Sequence, residues 1–351
     1  MRSMNILKGM GDFFALDVGT NAIRVVQLRR TLNSWTLEHY GYAPIDSKLT
    51  SSDSEEAKRK VAEVIMTAVG QSGIKAKNVV IGLPSSKTFT TVIDVPMASE
   101  AELKSTMKYQ IDQYIPMAID EAKVDWALLG PSLRAQNQQE VLLSSVSKTY
   151  SEERLELVES LGLNVIAAEP DPIAMVRALT PAGAQGAILQ LDMGETSTDI
   201  AIVYGDAPRL IRTIPTGVSS LVKATVSNLN VQDDQARQFI LKFGLAPDRL
   251  EGQVLRALET TLDNFAAEIV KSIKFFETRY SSVVVEGVLL AGFAAAIPQF
   301  DNYLAGKVGK QVHVANPWQG VQMSESDQKQ LGPVSTEFAT VIGLAKRGSG
   351  K

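Results

Sequence analysis

The chain has no cysteine and two histidines, His39 and His313, among its 351 residues. Without thiols there are no disulfides and no thiolate metal ligands, which fits a reducing compartment. With so little histidine, a His-rich metal centre or a Ser-His-Asp triad is not expected; His39 falls in a strand-like run and reads as a surface residue. A basic excess is lacking too. The formal net charge is −4, whereas a nucleic-acid footprint needs a basic face. No uncharged apolar run reaches the roughly 18 residues that a spanning helix requires. The nearest stretch, Gly287 to Phe300, is too short and carries a glycine turn. Met1 to Phe14 has no long apolar segment and is broken by Asp12, so no signal peptide is expected there. Ile6, Leu7, Lys8 and Met10 in that stretch read as a frayed end rather than a membrane contact.

What is present is ordinary globular composition, 45% hydrophobic and 21% charged, in a chain long enough for two lobes. One pattern occurs twice, half a chain apart: Asp17-Val18-Gly19-Thr20-Asn21-Ala22-Ile23-Arg24 and Asp192-Met193-Gly194-Glu195-Thr196-Ser197-Thr198-Asp199. Each copy follows an apolar strand-like run, Phe13–Val18 or Ala187–Leu191, and leads into another, Val25–Leu28 or Ile200–Tyr204. Each is therefore predicted to be a β-hairpin with Asp ending its first strand and Gly in the turn. Backbone N–H groups and small hydroxyls converging in such a turn suit a phosphate. Gly19, Thr20 and Asn21 on one side, and Gly194, Thr196, Ser197 and Thr198 on the other, are the candidate donors. Asp17 and Asp192 cannot face a phosphate without a cation between, so a hydrated Mg²⁺ is implied. A single Asp-x-Gly turn is commonplace; its duplication is the informative feature, and it points to two lobes gripping one nucleotide. Arg24 either reaches phosphate or caps a solvated strand end, and Glu195 is expected to point away from the phosphates or toward Mg²⁺, and is left off the site.

Around these hairpins the first half reads strand, strand, strand (Trp35–Tyr42), helix, strand. The helix, from about 54 to 71, has Asp53 and Glu56 as a capping pair, Gly73 as a stop, and Ala57, Val61, Val64, Ile65 and Ala68 on one face. A short strand, Val79–Leu83, ends at Pro84. Residues 86–163 break the pattern and read as an α/β insert: strand Phe89–Val95, a helix over 99–115 capped by Ser99 and Glu102, strands Val124–Leu129 and Val141–Ser147, and a helix over 151–161. A helix starting at Pro170 and Pro172 leads to a break at 181–184. The second half repeats the core, with a helical section over 233–280 and later helices over 294–304 and 336–346.

Leu83-Pro84-Ser85-Ser86, Asp94-Val95-Pro96-Met97, the run from Lys108 to Pro116, and the second Asp-x-Gly hairpin resemble the PilM family of type IV pilus assembly, a branch of the actin-like ATPase superfamily that includes actin, sugar kinases and FtsA. The resemblance runs from about Phe13 to Arg347. It implies an α/β fold, a duplicated ribonuclease-H-like core with two lobes around a nucleotide cleft and an insert of the FtsA/PilM type, subdomain IC. The divisions implied are 13–85 and 164–183 for subdomain IA with the interlobe connection, 86–163 for IC, 184–230 and 283–347 for IIA, and 231–282 for IIB.

The same resemblance implies ATP with Mg²⁺ and a cytoplasmic location at the inner face of the membrane. It places the tail of a PilN-like inner-membrane protein in a groove between IA and IC, implies other pilus-assembly components as partners, and leaves self-association open; membrane contact is indirect. Glu268, Lys271 and Ser272 would hold the adenosine, and Gly217 would let the nucleotide approach. Gly292 and Phe293 occupy the adenosine loop, where small residues are usual; Phe293 either stacks on adenine or crowds it. Asp192 and Asp171, with Glu169 nearby, are the acids available for hydrolysis, which is expected to be slow or absent. The rivals are an FtsA-like filament protein, which would carry an apolar anchor that Lys346–Lys351 does not supply, a sugar or acetate kinase, and a scaffold without activity.

Overall fold

Two sheets with the same strand order carry the duplication. The computed structural model describes residues 12–347 except 33 and 182, with no side-chain description for 108–110, so the expectations for residues 1–11 and 348–351 lie outside the described residues. In the first half, β1 (Phe13–Val18), β2 (Ala22–Arg30), β3 (Trp35–Pro44), β4 (Asn78–Leu83) and β8 (Asn164–Pro170) lie in the order β3-β2-β1-β4-β8. In the second half, β9 (Ala187–Met193), β10 (Thr198–Tyr204), β11 (Ala207–Ile214), β12 (Val285–Gly292) and β13 (Gln311–Val314) lie as β11-β10-β9-β12-β13. In both, the first hairpin is antiparallel and the next two pairings are parallel. This is the duplicated ribonuclease-H-like core. A two-residue strand, β14 (Val321–Gln322), returns from the second half to pair with β3.

Helices cover the sheets where periodic apolar faces predict. Among them, α1 (Ser47–Thr50) is a single turn, and α2 (Glu55–Ser72) buries Ala57, Val61, Ile65 and Ala68 against the first sheet. Its cap is Ser54, one residue beyond the expected Asp53: the Ser54 hydroxyl accepts the Ala57 N–H, because it is the last extended residue before the helix. Gly73 ends it in the left-handed region.

The insert is a small sheet, β5-β7-β6, made of β5 (Thr88–Pro96), β6 (Ala122–Pro131) and β7 (Gln138–Ser147), with α3 (Glu100–Gln110) on one face. Ser99 and Glu102 form the expected reciprocal cap. Leu103, Met107, Ile111 and Ile115 are all buried in the insert's own core, with Tyr114 packed against them. The following helix, α4 (Lys148–Glu159), was expected within the insert but sends Val158 and Leu155 into the first lobe's core.

Then α5 (Asp171–Leu179) crosses toward the second lobe, which carries α6 (Val218–Leu229), α7 (Asp233–Phe243), the long α8 (Gln253–Arg279) and α9 (Phe300–Val308) around one apolar core. The chain finishes with α10 (Glu325–Leu331) and α11 (Ala339–Ala345). The helix expected over 294–304 is split into a 3₁₀ turn, Phe293–Ala296, and α9, with Pro298 between them. That expected over 336–346 likewise begins as a 3₁₀ turn, Gly332–Phe338. Helices α5 and α11 pack together between the two sheets, and their residues share one core with Ala15 and Val26 of the first sheet and Ala201 and Val203 of the second. The lobes are therefore joined along a buried helix pair, with the cleft above it.

Candidate functional site

Antiparallel pairing brings each Asp to the end of the first strand of its hairpin: Asp17 opposite Arg24, and Asp192 opposite Asp199. Because the two hairpins hold equivalent places in equivalent sheets, both turns open into one cavity. Its lining includes Asp17, Gly19, Thr20 and Asn21 from the first turn. Asp192, Gly194, Thr196 and Ser197 come from the second, with Gly292 and Phe293 from the end of β12 and Asp171 from the start of α5. Five of the expected residues do not line it. Thr198 is buried and donates its hydroxyl to the Thr216 carbonyl at 2.7 Å. Gly217 sits behind the second turn, where a Cβ would lie 2.6 Å from the Glu195 carbonyl oxygen. Glu268 and Lys271 pair with each other on α8 at 2.5 Å, and Ser272 is buried, accepting from Arg212 at 2.9 Å.

The cavity also contains residues that sequence reasoning left aside. Arg24 is 7% exposed and donates to Asp17 at 3.2 Å and to Glu337. It is thus the internal counter-ion of the first turn rather than a solvated strand end. Glu195 does not point away: it lines the cavity, and its carboxylate accepts from Asn21 at 3.3 Å and from Arg237 at 2.7 Å. Asp199 accepts from Thr213 at 2.8 Å, and Ser85 and Ser86 complete the wall below the insert. Glu169 is turned elsewhere, into ion pairs with Arg177 and Arg347. Although burial opposes ionisation there, those guanidiniums hold it below its ordinary range.

Concentrated carboxylates shape the electrostatics. Burial, then the neighbouring Asp199, pushes Asp192 up to about 7. Burial, then Asp17 and Asp199, raises Asp171 well above the usual carboxylate range, and burial also raises Asp17 against the pull of Arg24. One oxygen of Asp171, Oδ1, is buried without a hydrogen-bond partner. Acids that resist ionising together, with one orphaned acceptor among them, form a donor set suited to a divalent cation. Among the described residues no three acidic or histidine side chains converge closely enough to ligate a metal directly. A hydrated Mg²⁺ keeps several waters and needs only one or two carboxylates, so this lining could accept one. Asp17, Asp171 and Asp192 all line the cavity and are the residues that could hold such a shell. The backbone is adapted as well. Gly292 has φ of +69°, and a side chain there would run into the Asp192 carboxylate and the Met193 backbone.

The family model described as type IV pilus assembly protein PilM matches residues 15–349. Among solved structures, a PilM–PilN type IV pilus biogenesis complex is similar at 22% identity and a TM-score of 0.81, over 96% of this chain and 98% of that one. MreB5 of Spiroplasma citri bound to AMPPNP is similar at 12% identity and TM-score 0.53, over 94% of each chain. The ethanolamine utilization protein EutJ from Carboxydothermus hydrogenoformans is similar at 16% identity and TM-score 0.53, over 95% of this chain and 88% of that one. At these identities the structures establish the actin-like fold, and the family match extends over nearly the whole chain. This chain belongs to the PilM family of type IV pilus assembly proteins.

Proposed function

We propose that this PilM-family chain is an ATP-binding scaffold on the cytoplasmic side of the inner membrane, in which Mg-ATP clamps the two lobes. The observation that carries the reading is the convergence of Asp17 and Asp192, from equivalent turns of two equivalent sheets, on one cavity that Asp171 also lines. The small residues of both turns would donate to the phosphates, Mg²⁺ would neutralise the charge between phosphates and carboxylates, and Phe293 with Gly292 would border the base. Hydrolysis needs a carboxylate free to accept a proton from the attacking water. Asp171 and Asp192 are the same acids that would face the hydrated Mg²⁺, which supports slow or absent turnover and a switch-like use of the nucleotide.

Calorimetric titration with Mg-ATP tests this. Asp17→Ala and Asp192→Ala should each weaken binding by about 1–3 kcal/mol, the cost of removing one member of a charged network, and EDTA should abolish most of the wild-type affinity. Binding indifferent to both substitutions and to EDTA would overturn the shared-cation reading.

The partner in this reading is the cytoplasmic tail of a PilN-like inner-membrane protein, taken up as an extended peptide between the first lobe and the insert. Its support is family membership together with the similarity to a chain solved in a PilM–PilN complex. No helix among the described residues is long and apolar enough to cross a membrane, so the partner would supply the membrane contact. Pull-down with a synthetic tail peptide checks this, and a folded protein that captures none would count against it.

A further inference from the structure

We propose that Glu195 is an affinity-setting residue of the cleft: an internal anion that ties the lobes together and must be displaced before a nucleotide's phosphates can use the donors it occupies. This rests on the reading of the cleft as a nucleotide site. Glu195 follows Gly194 in the second turn, where a small side chain would leave the turn open. It is 9% exposed, and both carboxylate oxygens are engaged. One accepts from Asn21 Nδ2 in the first lobe at 3.3 Å, the other from Arg237 Nη2 on α7 of the second lobe at 2.7 Å. The carboxylate therefore bridges the cleft from the floor of the second turn to a donor of the first.

Its position is imposed by the backbone. The Gly194 and Glu195 carbonyls accept the N–H groups of Val218 and Ser219 at 3.1 and 2.9 Å, fastening the turn to the start of α6. The guanidinium of Arg237 lies 5.7 Å from the centre of the Phe293 ring, itself part of the cavity wall, so the cation is held beside the site. Asn21 and Arg237 are groups that an anionic ligand would recruit, yet both are satisfied by a side chain of the same sign as the phosphates. A nucleotide entering the cleft then loses affinity in two ways: it must break the bridge, and it must tolerate the Glu195 charge nearby. When the bridge breaks, Arg237 is freed to face the new anion.

The test compares wild type with Glu195→Gln and Arg237→Met, by calorimetry with Mg-ATP and Mg-ADP and by pulsed electron paramagnetic resonance distances between spin labels on α2 and α7 in the nucleotide-free protein. Glu195→Gln keeps the shape and removes the charge; it should bind both nucleotides about tenfold more tightly and broaden the nucleotide-free distance distribution. Arg237→Met should broaden that distribution too, by releasing the other end of the carboxylate. Equal or weaker nucleotide binding by Glu195→Gln would overturn the proposal and make Glu195 a ligand of the cation or ribose. An unchanged distance distribution in both variants would overturn the bridging role. If neither wild type nor variant binds nucleotide, the reading of the cleft fails, and the label distances still decide whether Glu195 holds the lobes.

Discussion

Asp192 shows how a single side chain is set against stability by its place in the site. Its carboxyl titrates near 7 instead of 3.8 because it is enclosed and faces Asp199. The sign follows from which state holds the proton. Below about pH 4 both folded and unfolded chains are protonated at this position. Between about 4 and 7 the unfolded chain loses the proton while the folded one keeps it, so stability falls as pH rises through that window. Above 7 the loss is complete, at most about 4 kcal/mol for a shift of this size. Asp192→Asn should therefore raise the melting temperature of the nucleotide-free protein by several degrees at pH 8 and by clearly less at pH 5, while reducing the stabilisation that Mg-ATP gives to wild type. A melting temperature lowered at pH 8 would show that the carboxylate is held by partners rather than strained. Phe293 gives a second prediction at this scale. Its ring lines the cavity and carries Arg237 on it, so Phe293→Ala should cost on the order of 1–3 kcal/mol of nucleotide affinity, the range of a lost stacking platform. Tighter binding by the alanine variant would mean that the ring obstructs the base.

Elements were legible where a short-range pattern decides them. The two hairpins announce themselves by an apolar run, Asp-x-Gly and a second apolar run, and α2 by the spacing of Ala57, Val61, Ile65 and Ala68. A four-residue strand such as β13 and the two-residue β14 carry no such period, and α10, with one buried residue, has no apolar face to read. The site divided in the same way. Its turns could be read locally. The partners that complete it could not, because Arg24 meets Glu337 and Asn21 meets Glu195 only after the chain has folded. The i, i+3 pair Glu268 and Lys271 suggested a ligand contact, but that spacing also describes two charges that satisfy each other, as they do on α8. The interlobe helix pair holds a further feature hidden in the sequence. In α11, Gly343 lies so close to α5 that a Cβ would overlap the Ala174 carbonyl. Gly343→Ala normally favours a helix by about 1 kcal/mol; here it should force the pair apart and lower stability by about 1–3 kcal/mol, the usual cost of overpacking. Denaturant unfolding checks this, and a stabilised variant would show that the two helices yield easily.

Across the whole molecule, the insert is tied to α5 and to the second lobe. Val92 and Leu142 of its sheet pack with Ile173 of α5 and against Ile211 of β11. Glu140 of β7, fully buried, pairs with Arg209 of β11, which is 8% exposed. Arg279 at the end of α8 donates to the Val92 carbonyl at 2.7 Å and lies 3.9 Å from Asp94. Removing one charge of the buried pair leaves the other uncompensated, so Glu140→Leu alone should cost about 3–5 kcal/mol, whereas Glu140→Leu with Arg209→Met should recover most of that loss. Cutting out the whole insert would likewise strand Arg209 and bare Ile173, so a deletion is a poor probe of what the insert does. The double variant is a better one. A sheet fastened to the second lobe must shift against the first when the cleft closes, and a peptide lodged between insert and first lobe would feel that shift. Mg-ATP and a PilN-like tail peptide should then alter each other's affinity by the same factor, within the roughly 5- to 150-fold range of such couplings. The Glu140→Leu, Arg209→Met protein keeps the apolar seam and the Arg279 bond, so it should bind each ligand alone and show a reduced factor. Calorimetric titration of the peptide with and without saturating Mg-ATP reads both numbers, and a factor near one already in wild type would mean that the insert does not follow the second lobe.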